Sequence, residues 1–237
     1  MNANVPFRPE DYRRVALHFD GLRYSLGMAR LAASRLRDTL DEVAARHRTE
    51  KHSEDCIMSA LLDAWSLVDM CHRVRELIEQ LPQLPRKEAW VRRFVLQSDS
   101  VEKLRHHIQH LRGTVNDPTT NEPLWGALCW IPTDEPLACY TIFSGNLLEG
   151  HSAQSISYDT HEGRYTAVIE LSAGGGHRVD LWSVGQCLDR LRSDIVKWLQ
   201  AKPQTRHAYG ETLVWRFSLV GPRVTGAPGF AKEEDSQ

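Results

Sequence analysis

Arg105 and His110 lie five positions apart in the run Ser100-Val101-Glu102-Lys103-Leu104-Arg105-His106-His107-Ile108-Gln109-His110-Leu111-Arg112. In a helix that spacing is about one and a half turns. A guanidinium keeps its charge at any physiological pH and can hold a phosphate through two parallel N–H···O bonds. An imidazole can move a proton near neutral pH. Together the two groups could cleave RNA without a metal.

Residues positioned this way need a rigid helix, and the first half of the chain reads as helices throughout. Tyr12, Val15, Phe19, Leu22, Leu26, Leu36, Leu40 and Val43 recur at helical spacing from about Pro9 to Arg46. Pro9 suits a first helical position, while Gly21 and Gly27 weaken the middle and leave room for a kink or break. Arg46 to Ser53 reads as a turn. Ser53 then stands as N-cap before Glu54 and Asp55, and Ile57, Leu61, Ala64, Val68, Cys71 and Leu77 give the second helix its apolar stripe. Pro82 and Pro85 end it. A third helix is expected over about Lys87 to Leu96, with a capping break at Ser98-Asp99-Ser100. The fourth carries the motif, with Val101, Leu104, Ile108 and Leu111 on one face, and Gly113 and Asn116-Asp117-Pro118 stop it. Four helices with short connections imply an antiparallel bundle over residues 1–117.

After Pro118 the pattern changes. Trp125–Ile131, Cys139–Phe143 and Arg164–Leu171 read as strands, the last with Tyr165, Ala167, Ile169 and Leu171 on one side. Gly174-Gly175-Gly176 separates that strand from His177–Trp182, which is a hairpin signature; no Gly-Lys-Ser/Thr follows, so a phosphate loop is a poor reading. A fifth helix is expected over Val184–Gln200 and a last strand over Thr212–Val220. The expected class is α+β: an N-terminal antiparallel helical bundle, then a mainly antiparallel β-sheet with one packed helix over residues 118–222. Residues 223–237, rich in Gly, Pro and charge, read as a flexible tail.

Arginine followed by histidine after four to six residues, with a polar neighbour, is a short pattern. With 23 arginines and 11 histidines, chance alone supplies about three occurrences. Three are present: Arg13 with His18, Arg46 with His52, and Arg105 with His110. The first opens a helix and the second straddles a turn. Only the third falls inside the last helix of a four-helix unit. There the wording Leu104-Arg105-His106-His107-Ile108-Gln109-His110-Leu111 resembles the Leu-Arg-Asn-x-x-x-His motif of the HEPN superfamily, helical ribonucleases and nucleotide-binding proteins, with His106 in place of the usual asparagine. Asp63–Arg73 and Pro123–Trp130 are also similar to segments of bacterial members. The resemblance covers the first half of the chain and the start of the second.

The resemblance implies a mechanism. His110 would take the proton of a ribose 2′-hydroxyl, whose oxygen attacks the adjacent phosphorus. Arg105 would stabilise charge on the phosphoryl oxygens. His106, one turn before His110, would orient the phosphate or protonate the leaving oxygen. DNA, lacking the 2′-hydroxyl, would be spared. The resemblance also implies a homodimer, an RNA substrate, no cofactor and no metal, with defence or toxin action held in check by an inhibitory protein partner as the setting. The same fold also carries non-catalytic modules that bind nucleotides or partners, and that is the alternative.

The bland readings of these residues stay open at the level of sequence. Arg105 can pair with Glu102, Asp63 or Asp69. His106, His107 and His110 can be polar residues on a solvated face. Asp69 with His72 reads more readily as an ordinary surface pair than as support for the motif. His47, His52 and Glu54 span a turn without a ligand spacing that a metal would need. Net charge is −2, which gives no support for nucleic-acid binding, although arginine outnumbers lysine 23 to 6. Five scattered cysteines, no apolar run near the ~20 residues of a membrane span and no secretory h-region point to reduced thiols and a cytoplasmic setting.

Overall fold

Val15, Phe19, Leu22, Leu26, Leu36, Leu40 and Val43 all turn inward from one helix, α1 (Pro9–His47). The computed structural model describes residues 9–49, 53–81, 88–110, 116, 123–144, 156, 158–173, 176–200, 218–220 and 223–225; of residues 9–12, His107, 218–220 and 223–225 only the backbone is described, so the expectation for Tyr12 falls outside them. Neither Gly21 nor Gly27 breaks α1. At Gly21 the α2 side chain of Leu77 comes within 3.0 Å of where a Cβ would sit, so close packing accounts for that glycine. α2 (Glu54–Gln80) buries Leu61, Ala64, Val68 and Cys71 against α1. Ser53 occupies its N-cap, but the hydroxyl makes no capping bond, contrary to the expectation. Leu81, extended before Pro82, ends the helix.

α3 (Ala89–Gln97) and α4 (Asp99–Gln109) meet at Ser98, which is 2% exposed. Its N–H closes α3 on Phe94 O, and its carbonyl accepts the N–H groups of Val101 and Glu102, opening α4. α4 stops at Gln109, and His110 lies in the turn beyond it rather than in the helix. The expected extension to Arg112 and the stop at Gly113 fall outside the described residues.

The α+β class holds: helices fill the first half, and an antiparallel sheet with one packed helix follows. β1 (Ala127–Trp130), β2 (Tyr140–Phe143), β5 (Ile169–Ala173) and β6 (His177–Asp180) form a four-stranded sheet in the order β2-β1-β5-β6, all antiparallel. The expected strand Arg164–Leu171 is split. Arg164–Tyr165 is a separate strand, β4, paired with β3 (Tyr158–Asp159), and the ladder resumes only at Ile169. β5 is buried along its whole length because both faces are covered. Ile169, Leu171 and Ala173 meet the helices, while Cys129, Ile131, Ile156 and Ala167 form a small second cluster. Gly126, at φ +82°, has Ser172 O where a side chain would start, so β5 can approach β1 only at a glycine.

The β5–β6 hairpin forms as expected, with Gly176 at φ +75°. β6 ends early, however. Leu181 and Trp182 belong to α5 (Leu181–Gln200), because the Asp180 carboxylate accepts the N–H groups of Trp182 (3.0 Å) and Ser183 (3.2 Å) and caps the helix there. Within the expected strand Thr212–Val220 the described part is β7 (Ser218–Val220). It pairs with β8 (Arg223–Thr225), so those first residues of the expected tail are strand; the rest of the tail is outside the described residues. One hydrophobic cluster runs without interruption through α1 to α4, the helix-facing side of the sheet, and α5. Residues 1–117 and 118–222 therefore share a core.

Candidate functional site

α4 is held by three side chains on one face. Val101 and Leu104 are fully buried and Ile108 is half-buried. That packing sets the rotation of the helix, and so decides where the polar flank points. Glu102, Arg105 and Gln109 follow one another along the flank at spacings of three and four. The flank faces α2, which runs antiparallel to α4. Three pairs mark the register: Arg75 near Asp99 (4.0 Å), His72 with Glu102, and Asp69 with Arg105. Each three-residue step along α4 meets a three-residue step back along α2.

Asp69 is the centre of the arrangement. One carboxylate oxygen accepts from Arg105 Nε at 3.3 Å and the other from Arg73 Nε at 2.7 Å. Burial alone would raise its pKa. The bond and charge of Arg73, then those of Arg105, outweigh that and hold the carboxyl below its ordinary value. Gln109 closes the other side of the guanidinium. With the amide turned so that its oxygen faces Arg105, that oxygen accepts from both Nη atoms, at 2.9 and 3.0 Å. Of the five N–H donors of Arg105, three are then engaged and two remain. The side chain keeps 23% of its surface exposed.

His106 and His110 form the next row, turned away from α2. Both are exposed, and their rings meet edge to face with centroids 4.5 Å apart. Arg105 and the two imidazoles thus stand in adjacent rows at the C-terminal end of one helix. The side chain of His107 falls outside the described residues. This is an open ledge: the troughs of about 530 and 320 Å³ beside α1, and that of about 630 Å³ beside the end of α2, are lined by none of these residues.

Two readings of α2 need correction. Asp69 and His72 are not an ordinary surface pair; each reaches across to α4. Asp69 holds Arg105. His72, 9% exposed, has Glu102 at 2.8 Å from Nδ1 and Glu76 at 3.3 Å from Nε2. Arg105 does not pair with Glu102, which is taken by His72, nor with Asp63, which is buried and paired with Arg35. A signal for this lay in the sequence: Asp69, His72 and Arg75 mirror Arg105, Glu102 and Asp99 in spacing and in opposite charge at two of the three steps. Gln109 carried no such signal.

The other pairs at motif spacing lack this setting. His18 is half-buried on α1 and bonds the carbonyl of Arg14. Arg46 pairs with Glu42, and His52 is outside the described residues. No group of three or more His, Cys, Asp or Glu side chains among the described residues is placed to hold a metal. Family models, curated proteins and solved structures give no significant match to the chain.

Proposed function

We propose that this protein is a metal-independent endoribonuclease of HEPN type, working at the α4 ledge. The observation that carries the reading is a guanidinium anchored by Asp69 and Gln109 beside an exposed pair of imidazoles, His106 and His110. Anchoring lowers the entropy cost of holding the cation against a phosphate. In the reaction, His110 takes the 2′-hydroxyl proton and the 2′-oxygen attacks phosphorus. Arg105 offers its remaining N–H donors to the phosphoryl oxygens. The bond to the 5′-oxygen breaks, and that oxygen takes a proton from His106. The products are a 2′,3′-cyclic phosphate and a 5′-hydroxyl. An open ledge suits a polymer better than a small molecule, since a chain must pass across it.

A homodimer belongs to this reading. Leu17, Tyr24, Met28 and Leu31 lie along the outward face of α1, and Leu62 is seven residues before Asp69 on the outward face of α2. A second copy covering this apolar surface would bring two α4 ledges together. Five free cysteines fit a cytoplasmic setting.

The test is incubation of the purified protein with structured and unstructured RNAs in excess EDTA, with product ends read by mass spectrometry. Cyclic-phosphate ends lost in Arg105→Ala and in His110→Ala support the enzyme. One feature favours the non-catalytic alternative: Gln109 occupies the fork of Arg105 that a phosphate would use. If RNA stays intact while nucleotide binding depends on Arg105, the binding module is the right reading.

A further inference from the structure

α1 and α5 pack antiparallel, and their shared flank leaves a long trough that no helix among the described residues fills. Phe19 meets Trp198 at one end, and Gly185 meets Ala33 toward the other. The larger part of the trough is about 530 Å³, with an apolar floor that includes Leu26, Ile195 and Leu199. It adjoins a second part of about 320 Å³, and Leu26 and Arg30 line both. Arg30 on α1 and Arg192 on α5 stand on opposite walls. Both are exposed, and neither has an ion-pair or hydrogen-bond partner among the described residues. Val196, on the same flank of α5, leaves 42% of its surface in water.

Gly27 supplies the second observation. Glycine in a helix interior is less favourable than any residue but proline. Gly21 is explained by Leu77, at 3.0 Å from where a Cβ would sit; at Gly185 a Cβ would make only an ordinary 3.7 Å contact with Ala33, and at Gly27 it would meet nothing within 4 Å among the described residues. The described residues give no reason for a missing side chain at Gly27. Gly27 lines the trough one turn from Arg30, where any side chain would stand in the way of an occupant.

We propose that the α1–α5 trough is the docking site for an acidic amphipathic helix of a partner protein. Its apolar stripe would lie on the Leu26–Leu199 floor and approach α1 closely at Gly27, and its acidic residues would meet Arg30 and Arg192. Two antiparallel helices with an open seam are completed by a third in the manner of a bundle. Unpaired arginines at the rim select an acidic occupant over a basic one. The proposal does not depend on the chemistry of the α4 ledge.

The probe is a fluorescein-labelled peptide of about 18 residues, five helical turns, with leucines at heptad a and d positions and glutamates flanking them. Its twin carries lysine at every glutamate. Anisotropy with the full chain is expected to show saturable binding of the acidic peptide that weakens with added salt, and none of the twin. Arg30→Glu with Arg192→Glu should weaken the acidic peptide at least about tenfold and admit the lysine twin. Gly27→Leu should abolish binding while circular dichroism and the melting temperature stay at or above wild type; Gly27→Ala is the milder companion. The proposal is overturned if neither peptide binds, if both bind alike, if folded Gly27→Leu binds as wild type does, or if dodecanoate binds and excludes the peptide, which would assign the trough to a small amphiphile.

Discussion

Asp69 decides how Arg105 is presented, because it is the only carboxylate that reaches the motif arginine among the described residues. Asp69→Asn would keep the shape but remove the charge. Gln109 alone would then hold Arg105 firmly, and on the ribonuclease reading RNA cleavage should fall by about one to two orders of magnitude, the scale of a lost positioning contact; a cleavage assay in EDTA checks it. The same substitution has a signature in stability. The native pKa of Asp69 lies below its unfolded value, so native protein keeps this carboxylate ionised to lower pH than unfolded chain does. Its contribution is full above the unfolded pKa, near ~4, and is lost as pH falls through the native value. Asp69 is over a third exposed, so water screens the pair and the contribution is about 1 kcal/mol or less. Urea melts should therefore separate wild type from Asp69→Asn by more at pH 7 than at pH 3. A difference of the same size at both pH values would mean that the substitution acts through packing instead of charge.

At the scale of elements, the ledge is only as well placed as α4, and α4 is placed by its buried face and by its junction with α3. Leu104 is 0% exposed. Leu104→Ala should cost about 2–5 kcal/mol, read by denaturant melts. The junction is subtler. Arg75 Nη1 reaches Val95 O at 3.2 Å and Ser98 Oγ at 3.4 Å, which ties α2 to the residue that ends α3 and begins α4. Arg75→Met keeps the aliphatic stem but not the donors. It should lower stability by about 1–3 kcal/mol through the unsatisfied groups at Ser98, and raise amide exchange in α4 more than in α1. The helices and their buried faces are legible in the sequence because a 3.6-residue period survives local irregularity. Boundaries are legible where a special residue marks them, as Pro82 does. Leu181 and Trp182 read as strand because apolar residues serve either structure, and the Asp180 cap that settles the matter also looks like a strand end. The strand Arg164–Leu171 alternates as one element, yet only its second part reaches the sheet, since pairing depends on where β1 lies. The motif itself is visible; Asp69 as its anchor requires knowing that α2 and α4 run antiparallel in that register.

For the whole molecule, one core joins bundle and sheet, and the surface left over shows where another body would sit. Burial protects the thiols, Cys71 and Cys187 in the shared core and Cys129 and Cys139 in the small second cluster. Burial pushes Cys71 up to about 12, and it also raises Cys129, Cys139 and Cys187. A thiol reagent should label Cys56 first in native protein and all five only after denaturation. The surface is a separate matter. Leu17, Tyr24 and Leu31 repeat every seven residues on α1, with Met28 between them, and all are exposed, Leu17 at 61% and Leu31 at 59%. A repeat of seven is the spacing of a seam between helices, and an apolar stripe of this length is uncommon on the surface of a monomer. The stripe lies on a different side of α1 from Arg30 and Gly27, so it is not part of the α5 trough. Charge placed in the stripe should separate subunits without harming the core: Met28→Glu with Leu31→Glu is expected to convert a dimer to a folded monomer by light scattering. If two α4 ledges must meet to grip one RNA, the same variant loses cleavage even though Arg105, His106 and His110 are untouched. A wild-type chain that is monomeric at every concentration tested would remove the dimer, and with it the requirement for two ledges.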